Sequence, residues 1–390
     1  METKKVKINL SYLRPNSTFI YPLFSEEGKK ILDERIVLTA ELIKKITARF
    51  GNFVYYAEDG KRAVIQEGKL RAALATSHDV LDEIARTSKL SAEKYHEAER
   101  LVDDIIHNLS VEHANVINLI KDLKSFDDYL YNHSVNVGLL TAVFAKKIGG
   151  FSDHQYQSIT LGAYLHDIGQ RKIDKQLLHK QGQLDVLELT KLKRHPQLGY
   201  EILKDLEDSN ETVLQTVLFH HEKYNHKGYY QLPYENLPIF PKLASICDIY
   251  DALTSPRPFR EEPFTSCMAL KAIVNSISSH FDFTLVSRFV NLMGPILNND
   301  RPIFAVNDIC ELNTGELALV KGITPGDILK PQVVVFCRFV KEGDRLGVKH
   351  YNEPTAADLA TENKRVVKKI LNNRKQVDAI QKMAKERGLL

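Results

Sequence analysis

Disulfide chemistry is the first thing this sequence lacks. Its 390 residues include only four cysteines, Cys247, Cys267, Cys310 and Cys337, with no close pairing motif. Scattered thiols of that kind fit a reducing compartment rather than a disulfide framework. Long apolar runs are also missing: nothing approaches the roughly 20 residues that span a bilayer. The opening METKKVKINLSYLRPNS has no extended apolar core, so no secretory leader is expected. Net charge is only +3, from 53 basic and 50 acidic residues, which gives no argument for a nucleic-acid polymer as partner. Internal repeats and low-complexity tracts are absent, and no Ser or Cys is spaced as a nucleophile would be. With 43% hydrophobic and 26% charged residues, the chain reads as an ordinary cytoplasmic globular protein with a substantial core. At roughly 150 residues per domain, it has room for two or three.

Texture changes divide the chain. Residues 1–70 read as a small α/β domain, with strands at Val6–Leu10, Phe19–Phe24 and Phe53–Tyr56. Thr39 is placed to cap a helix through Arg49 that Gly51 closes. Residues 71–126 read as a helical connector, with Val80, Leu81 and Ile84, then Leu101, Val102, Ile105 and Ile106, then Val116, Ile117, Ile120 and Leu123 at helical spacing. Residues 127–298 are mainly helical. Residues 299–390 carry strand-like runs at Phe304–Leu312, Leu317–Val320 and Val333–Phe339, followed by an amphipathic helix from Thr361 to Leu390. That tail holds nine Lys/Arg against three acids, a local +6, and reads as a docked or dimerising helix. The fold class expected is mainly α, with a small α/β N-terminal domain and a small β C-terminal extension.

Within 127–298 lies the chemistry. His133, His166-Asp167, His195, His220-His221 and Asp248 follow one another, all imidazole or carboxylate, the donor types that suit iron, manganese, nickel or zinc. Each doublet follows an apolar helical run, and polar groups delivered that way are costly to bury unless paired or metal-bound. Adjacent residues on a helix point about 100° apart, so one doublet can reach two positions. Seven ligands exceed what one ion needs, which points to a two-metal site. The remaining histidines are read as surface or satisfied core, His226 as a solvated loop residue.

Leu165-His166-Asp167-Ile168-Gly169, His195-Pro196, His220-His221-Glu222, Gly228-Tyr229 and the run Asp248 to Arg260 together resemble the HD-GYP family, a branch of the HD-domain phosphohydrolases that hydrolyses cyclic di-GMP. The resemblance covers roughly residues 100 to 295. It implies that His166 and Asp167 form the motif that names the superfamily, with Asp167 bridging two metals. His133, His166 and Asp248 would complete one shell, and His195, His220 and His221 the other. Gly228, Tyr229, Arg257 and Arg260 would face the substrate. Arginine suits that role because its planar fork meets phosphate or a guanine edge in two bonds. The cofactors implied are two divalent ions, iron or manganese, which make hydroxide available near neutral pH for in-line attack on phosphorus. The partners implied are cyclic di-GMP, a signalling protein met through the GYP loop or the N-terminal domain, and a second copy of the chain.

Four features depart from the family pattern. Gln170 stands where the family has Lys, which removes a charge worth on the order of 10²-fold in rate, and Gln170 is placed with Asp167 in the catalytic set. Tyr230 replaces the Pro of GYP and gives up its fixed φ. The loop Lys223-Tyr224-Asn225-His226 stands where the family favours Arg, Asp and Gly at the first, third and fourth places. Tyr129 stands where some members place a Glu for a third metal, so two are expected. The function implied is a metal-dependent phosphodiesterase that converts cyclic di-GMP to linear pGpG, GMP or both in bacterial second-messenger signalling. A catalytically weak receptor for the same ligand, or a hydrolase of another nucleotide, stays open beside it. No GGDEF-type cyclase motif or phosphoacceptor domain accompanies it.

Overall fold

A computed structural model of the chain describes residues 4–10, 17–19, 22–33, 36–58, 67–108, 129–178, 180, 182–255, 262–293, 303–324, 327–342, 345–362 and 364–390. The chain divides into two compact units, one of residues 1–62, 266–278 and 282–390, the other of residues 63–265 and 279–281. Among the described residues, no helix is long and apolar enough to cross a membrane.

The first unit begins with strands β1 (Lys4–Asn9), β2 (Ser17–Phe19), β3 (Leu23–Phe24), β4 (Lys30–Leu32) and β5 (Ile36–Leu38), helix α1 (Ala40–Phe50) and strand β6 (Phe53–Glu58). A four-stranded sheet in the order β1-β6-β3-β4 lies alongside a β2-β5 pair. The expected strand over Phe19–Phe24 is therefore two strands in two sheets. Thr39 caps α1 by accepting from the Leu42 N–H, and Gly51 closes it at φ 78°. Ile43 and Ile46 of α1 pack with Leu10, Leu23, Leu38, Val54 and Tyr56 as the local core.

The second unit is helical and carries the ligand series. It runs through α2 (Glu67–Thr87), α3 (Ala92–Asn108), α4 (Tyr129–Ile148), α5 (Asp153–Tyr164), a 3₁₀ turn (Ile168–Lys172), α6 (Lys175–Leu178), α7 (Val186–Leu192), α8 (His195–Leu203), α9 (Glu211–Phe219) and α10 (Ile239–Thr254). The expected helix over Val116–Leu123 lies outside the described residues. From Asn132 to Ala145 every residue of α4 is buried, so this helix is the axis of the unit. It packs against α5 and α10, and α9 packs against α5, α8 and α10. Gly149 and Gly150, at φ 73° and 82°, end it as the sequence predicts. A capping box between Ser152 and Gln155 starts α5. The 3₁₀ turn lies flat on α8, where a Cβ at Gly169 would fall 2.0 Å from the His195 carbonyl oxygen. Only glycine allows that approach, and it brings the segment after Asp167 against the start of α8.

The first unit resumes with α11 (Ser266–Val274), α12 (Phe283–Met293), β7 (Ile309–Leu312), β8 (Glu316–Gly322), β9 (Gln332–Glu342), β10 (Arg345–Asp358), β11 (Val367–Ile370) and α13 (Arg374–Glu386). The strands form one antiparallel sheet in the order β10-β9-β8-β7-β11. Two features differ from the sequence reading. Strand β10, RLGVKHYNEPTAAD, is long but too mixed in character to show an alternating pattern. The tail is not one helix from Thr361: Val367 to Ile370 instead pairs with β7 at the sheet edge, and α13 starts after the Asn373 cap. Val366 and Ile370 carried the helical stripe in sequence with Val377, Ile380 and Ala384, yet β-branched residues such as Val367 and Ile370 fit a pleated edge better. Ile380 and Ala384 of α13 are buried on the sheet beside Leu317, Leu319 and Phe336, so the helix is docked.

Candidate metal centre

Three helix ends aim three imidazoles inward by the same device. Nδ1 of His166 lies 2.8 Å from the Ala163 carbonyl, Nδ1 of His195 lies 2.8 Å from Leu192 O, and Nδ1 of His220 lies 2.8 Å from Val217 O. A carbonyl can only accept, so each Nδ1 carries its proton and each Nε2 presents a bare lone pair in the neutral ring. The acceptors belong to the last turns of α5, α7 and α9, whose carbonyls lack intrahelical partners. This corrects the expectation that the doublets sit on helix faces. His166-Asp167 follows the Leu165 cap of α5, and His220 is itself the cap of α9. The chain turns there, and that turn spreads each pair.

The bare nitrogens converge. His195 Nε2 is 3.3 Å from His220 Nε2 and 3.2 Å from His221 Nε2. Asp167 Oδ1 is 3.1 Å from His195 Nε2 and 3.8 Å from His220 Nε2. On the other side, Asp167 Oδ2 is 3.4 Å from His166 Nε2 and 3.7 Å from His133 Nε2. Asp248 Oδ1 adds contacts of 3.2 Å to His133 and 4.0 Å to His166. Two groups capable of holding a metal ion result: Asp167, His195, His220 and His221, and His133, His166 and Asp167, each with donor atoms within 4.8 Å of one another. Asp167 belongs to both.

The donor atoms fit a cation. His166 Nε2 and Asp167 Oδ1 are buried without a hydrogen-bond partner. Unpaired buried acceptors are costly, and lone pairs facing one another at these distances call for positive charge between them. Burial and the neighbouring His221 and His166 charges hold His220 well below the usual imidazole range. Burial and His195 bring His221 down to about 4. His133 behaves oppositely: burial opposes its charged form, but hydrogen bonds to Asp248 and Asp251 outweigh that and raise it to about 9. Asp167 and Asp248 are held below the carboxylate range by the histidines around them, against the opposing effect of burial.

Asp251 has no role in the sequence reading, although the run that contains it was singled out there. Its Oδ2 accepts from His133 Nδ1 at 2.8 Å, while Asn136 Nδ2 and Ser255 Oγ donate to its Oδ1 at 3.0 and 3.1 Å. Fully buried, it orients His133 as a second carboxylate orients a metal-bound imidazole. The spacing Asp248, Asp251, Ser255 along one helix face is the signal that could have revealed it.

The loop after α9 reaches the same centre. Tyr229 stacks at 4.4 Å and 33° on His221 and stands edge-on to His195 at 6.2 Å. Burial, with Asp167 and Asp248 nearby, pushes its phenol up to about 12. Buried Glu222 organises the loop: Oε1 accepts from Tyr230 N–H at 2.7 Å and Oε2 from Leu232 N–H at 2.8 Å. A Cβ on Gly228 would fall 2.5 Å from Glu222 Cα, so glycine is required there. Tyr230 thus supplies an N–H that proline lacks. The lost φ constraint is offset by a hydrogen bond to a buried carboxylate.

His226 stays outside the centre. Its backbone is left-handed at φ 57°, and its exposed ring pairs with Glu235 at 3.2 Å. Gln170 closes the turn after Asp167 by donating its N–H to Asp167 O at 2.9 Å, and its side chain is half-buried. Arg257 and Arg260 lie outside the described residues, as does the Tyr129 side chain.

Residues 115–285 match the family model described as HD domain. A cyclic di-GMP phosphodiesterase of Pseudomonas aeruginosa is 30% identical over 240 residues, 61% of this chain and 55% of that protein. A cyclic di-GMP phosphodiesterase response regulator of Xanthomonas campestris is 36% identical over 114 residues, 29% of this chain and 30% of its own length. A 3′3′-cGAMP-specific phosphodiesterase of Vibrio cholerae is 26% identical over 203 residues, 48% of this chain and 38% of its own. The chain spans about half, or less, of the length of these curated relatives.

Ligation needs a bare Nε2 on His133, so uptake of a metal displaces its proton below about 9. Apparent Mn²⁺ affinity should therefore strengthen by about tenfold per pH unit between pH 6.5 and 8.5. Calorimetry in buffers of different ionisation enthalpy checks this, and uptake without proton release contradicts it. The loop yields a second expectation. Tyr230→Pro, which moves the sequence toward the family pattern, should lower stability by about 1–3 kcal/mol by leaving a Glu222 oxygen unpaired. A melting temperature equal to or above that of the wild type would refute it.

Proposed function

We propose that the chain, whose residues 115–285 match the family model described as HD domain, is a metal-dependent phosphodiesterase of the HD-GYP branch, acting on cyclic di-GMP. The observation that carries the reading is the sharing of Asp167 between the two ligand groups. A carboxylate with one oxygen toward each group suits a pair of ions, and iron or manganese match the imidazole-rich donor set. His133, His166, Asp248 and Asp167 would hold one ion, and His195, His220, His221 and Asp167 the other. When bound, two such ions supply Lewis acidity and water activation for in-line phosphodiester cleavage.

The chain's own groups do the rest. Asp251 fixes the His133 ring, and three helix-end carbonyls fix His166, His195 and His220. Because these rings are held before substrate arrives, little reorganisation is left for the reaction itself. Tyr229, lying half-buried against His221, offers a ring on which a guanine can stack. Arg257 and Arg260 are assigned to the dinucleotide by the family resemblance. The products are linear pGpG, GMP or both, the setting bacterial second-messenger signalling, and the N-terminal α/β segment a sensor or partner contact.

Purified full-length protein loaded with Mn²⁺ or Fe²⁺ should linearise cyclic di-GMP, and His166→Ala combined with Asp167→Ala should abolish that activity. Chromatography that shows intact dinucleotide after long incubation, with tight binding, would establish a receptor instead. Faster turnover of 3′3′-cGAMP would move the substrate to the mixed dinucleotide. A second variant tests the neutral side chain after the His-Asp turn. Gln170→Lys should raise kcat, by up to the order of 10²-fold. An unchanged or lower kcat means that the site already draws that charge from elsewhere.

A further inference from the structure

Two lysines lie two residues from ligands of the cluster, and neither belongs to it. Lys193 is the cap of α7, two residues before His195. Its Nζ stands 5.5 Å from the centre of the Tyr229 ring, whose other neighbour is His221 at 4.4 Å. Lys223 follows His221 by two residues and is half-buried. The acid nearest in sequence, Glu222, spends both oxygens on the N–H groups of Tyr230 and Leu232. Two cations thus stand two residues from ligands, one before His195 and one after His221.

Such charges interact favourably with an arriving anion. The need for them is set by the interior. Asp167 and Asp248 place two carboxylates in the centre, and a doubly anionic dinucleotide has to approach them. Cations at the mouth draw such a ligand in and hold it. The turn after Asp167 offers none at its nearest position, since Gln170 is neutral. A lysine ammonium is a compact point charge with three donors and suits a phosphate oxygen.

We infer that Lys193, supported by Lys223, holds a phosphodiester oxygen of the dinucleotide at the Tyr229 side of the centre, a binding contact separate from the charge that Gln170 lacks. Lys193 is thus a substrate-binding residue, set two positions from a ligand so that ligand and phosphate are placed by one helix end. This inference rests on the phosphodiesterase reading, and its test separates the two.

The full-length Mn²⁺-loaded protein is compared with Lys193→Gln, Lys193→Arg and Lys223→Gln. Readouts are KM and kcat for cyclic di-GMP, the Kd of its slowly cleaved phosphorothioate analogue, and manganese content. Lys193→Gln should raise Kd and KM by about tenfold, as loss of one charge-assisted contact would. Its kcat should stay within about threefold of the wild type, with manganese content and melting temperature unchanged. Lys193→Arg should recover most of the binding, and Lys223→Gln should give a smaller loss in the same direction. The wild-type Kd should weaken with added salt more steeply than that of Lys193→Gln. Equal Kd values for wild type and Lys193→Gln, or an arginine that restores nothing, overturn the inference and leave the phosphodiesterase reading standing. A wild type that neither binds nor cleaves the dinucleotide overturns both.

Discussion

Everything at the centre depends on where three Nδ1 protons go. By giving them to the carbonyls that end α5, α7 and α9, the chain removes a choice of tautomer from His166, His195 and His220. It also fixes each ring in a plane set by a helix axis. The price is a pocket in which nitrogen lone pairs and carboxylate oxygens face one another at hydrogen-bond distance without protons to share. A site built in this way holds its geometry before any ion is present, and an ion bound there would remove repulsion rather than impose order. His133 differs from these three, since Asp251 and not a carbonyl fixes its ring. Its higher proton affinity comes from its hydrogen bonds to Asp248 and Asp251.

Helix packing serves the same end. Gly169 lets the turn after Asp167 lie on α8, and Gly228 lets the Tyr229 loop lie on Glu222. Both close approaches bring backbone, rather than long side chains, to the edge of the ligand cluster. A position held by backbone contact drifts little, which matters where donor atoms have to stay within a few tenths of an ångström of a coordination distance. The unit's most buried helix, α4, carries His133 and Asn136 one turn apart, so the support for Asp251 is as rigid as the support for the ligands themselves.

Much of this was legible in the sequence, and the reasons are particular. The order of the ligand residues, the caps at Thr39 and Gly149, and the mainly helical texture of the ligand-bearing region are short-range signals. Asp251 was not legible as an orienting residue, because its meaning lies in a contact with a histidine 118 positions away. The doublets were expected on helix faces since apolar periodicity runs up to them; periodicity does not say at which residue the last turn stops. The C-terminal strand β11 was hidden for the opposite reason. Val366 and Ile370 satisfy a helical stripe and a strand edge alike, and only the presence of β7 decides between them. Lys193 carries no motif at all, and its position is visible only once Tyr229 is folded over His221.

The exchange of proline for Tyr230 has a consequence for how such a loop changes over generations. Glu222 grips two amides, and one of them exists only because the residue at 230 is not an imino acid. Positions 222 and 230 are therefore not independent letters. A substitution at one alters which residues the other tolerates, so a path that restores the ancestral-looking triplet in a single step crosses a less stable intermediate. A loop that looks eroded beside the family pattern can be as firmly specified as one that keeps it.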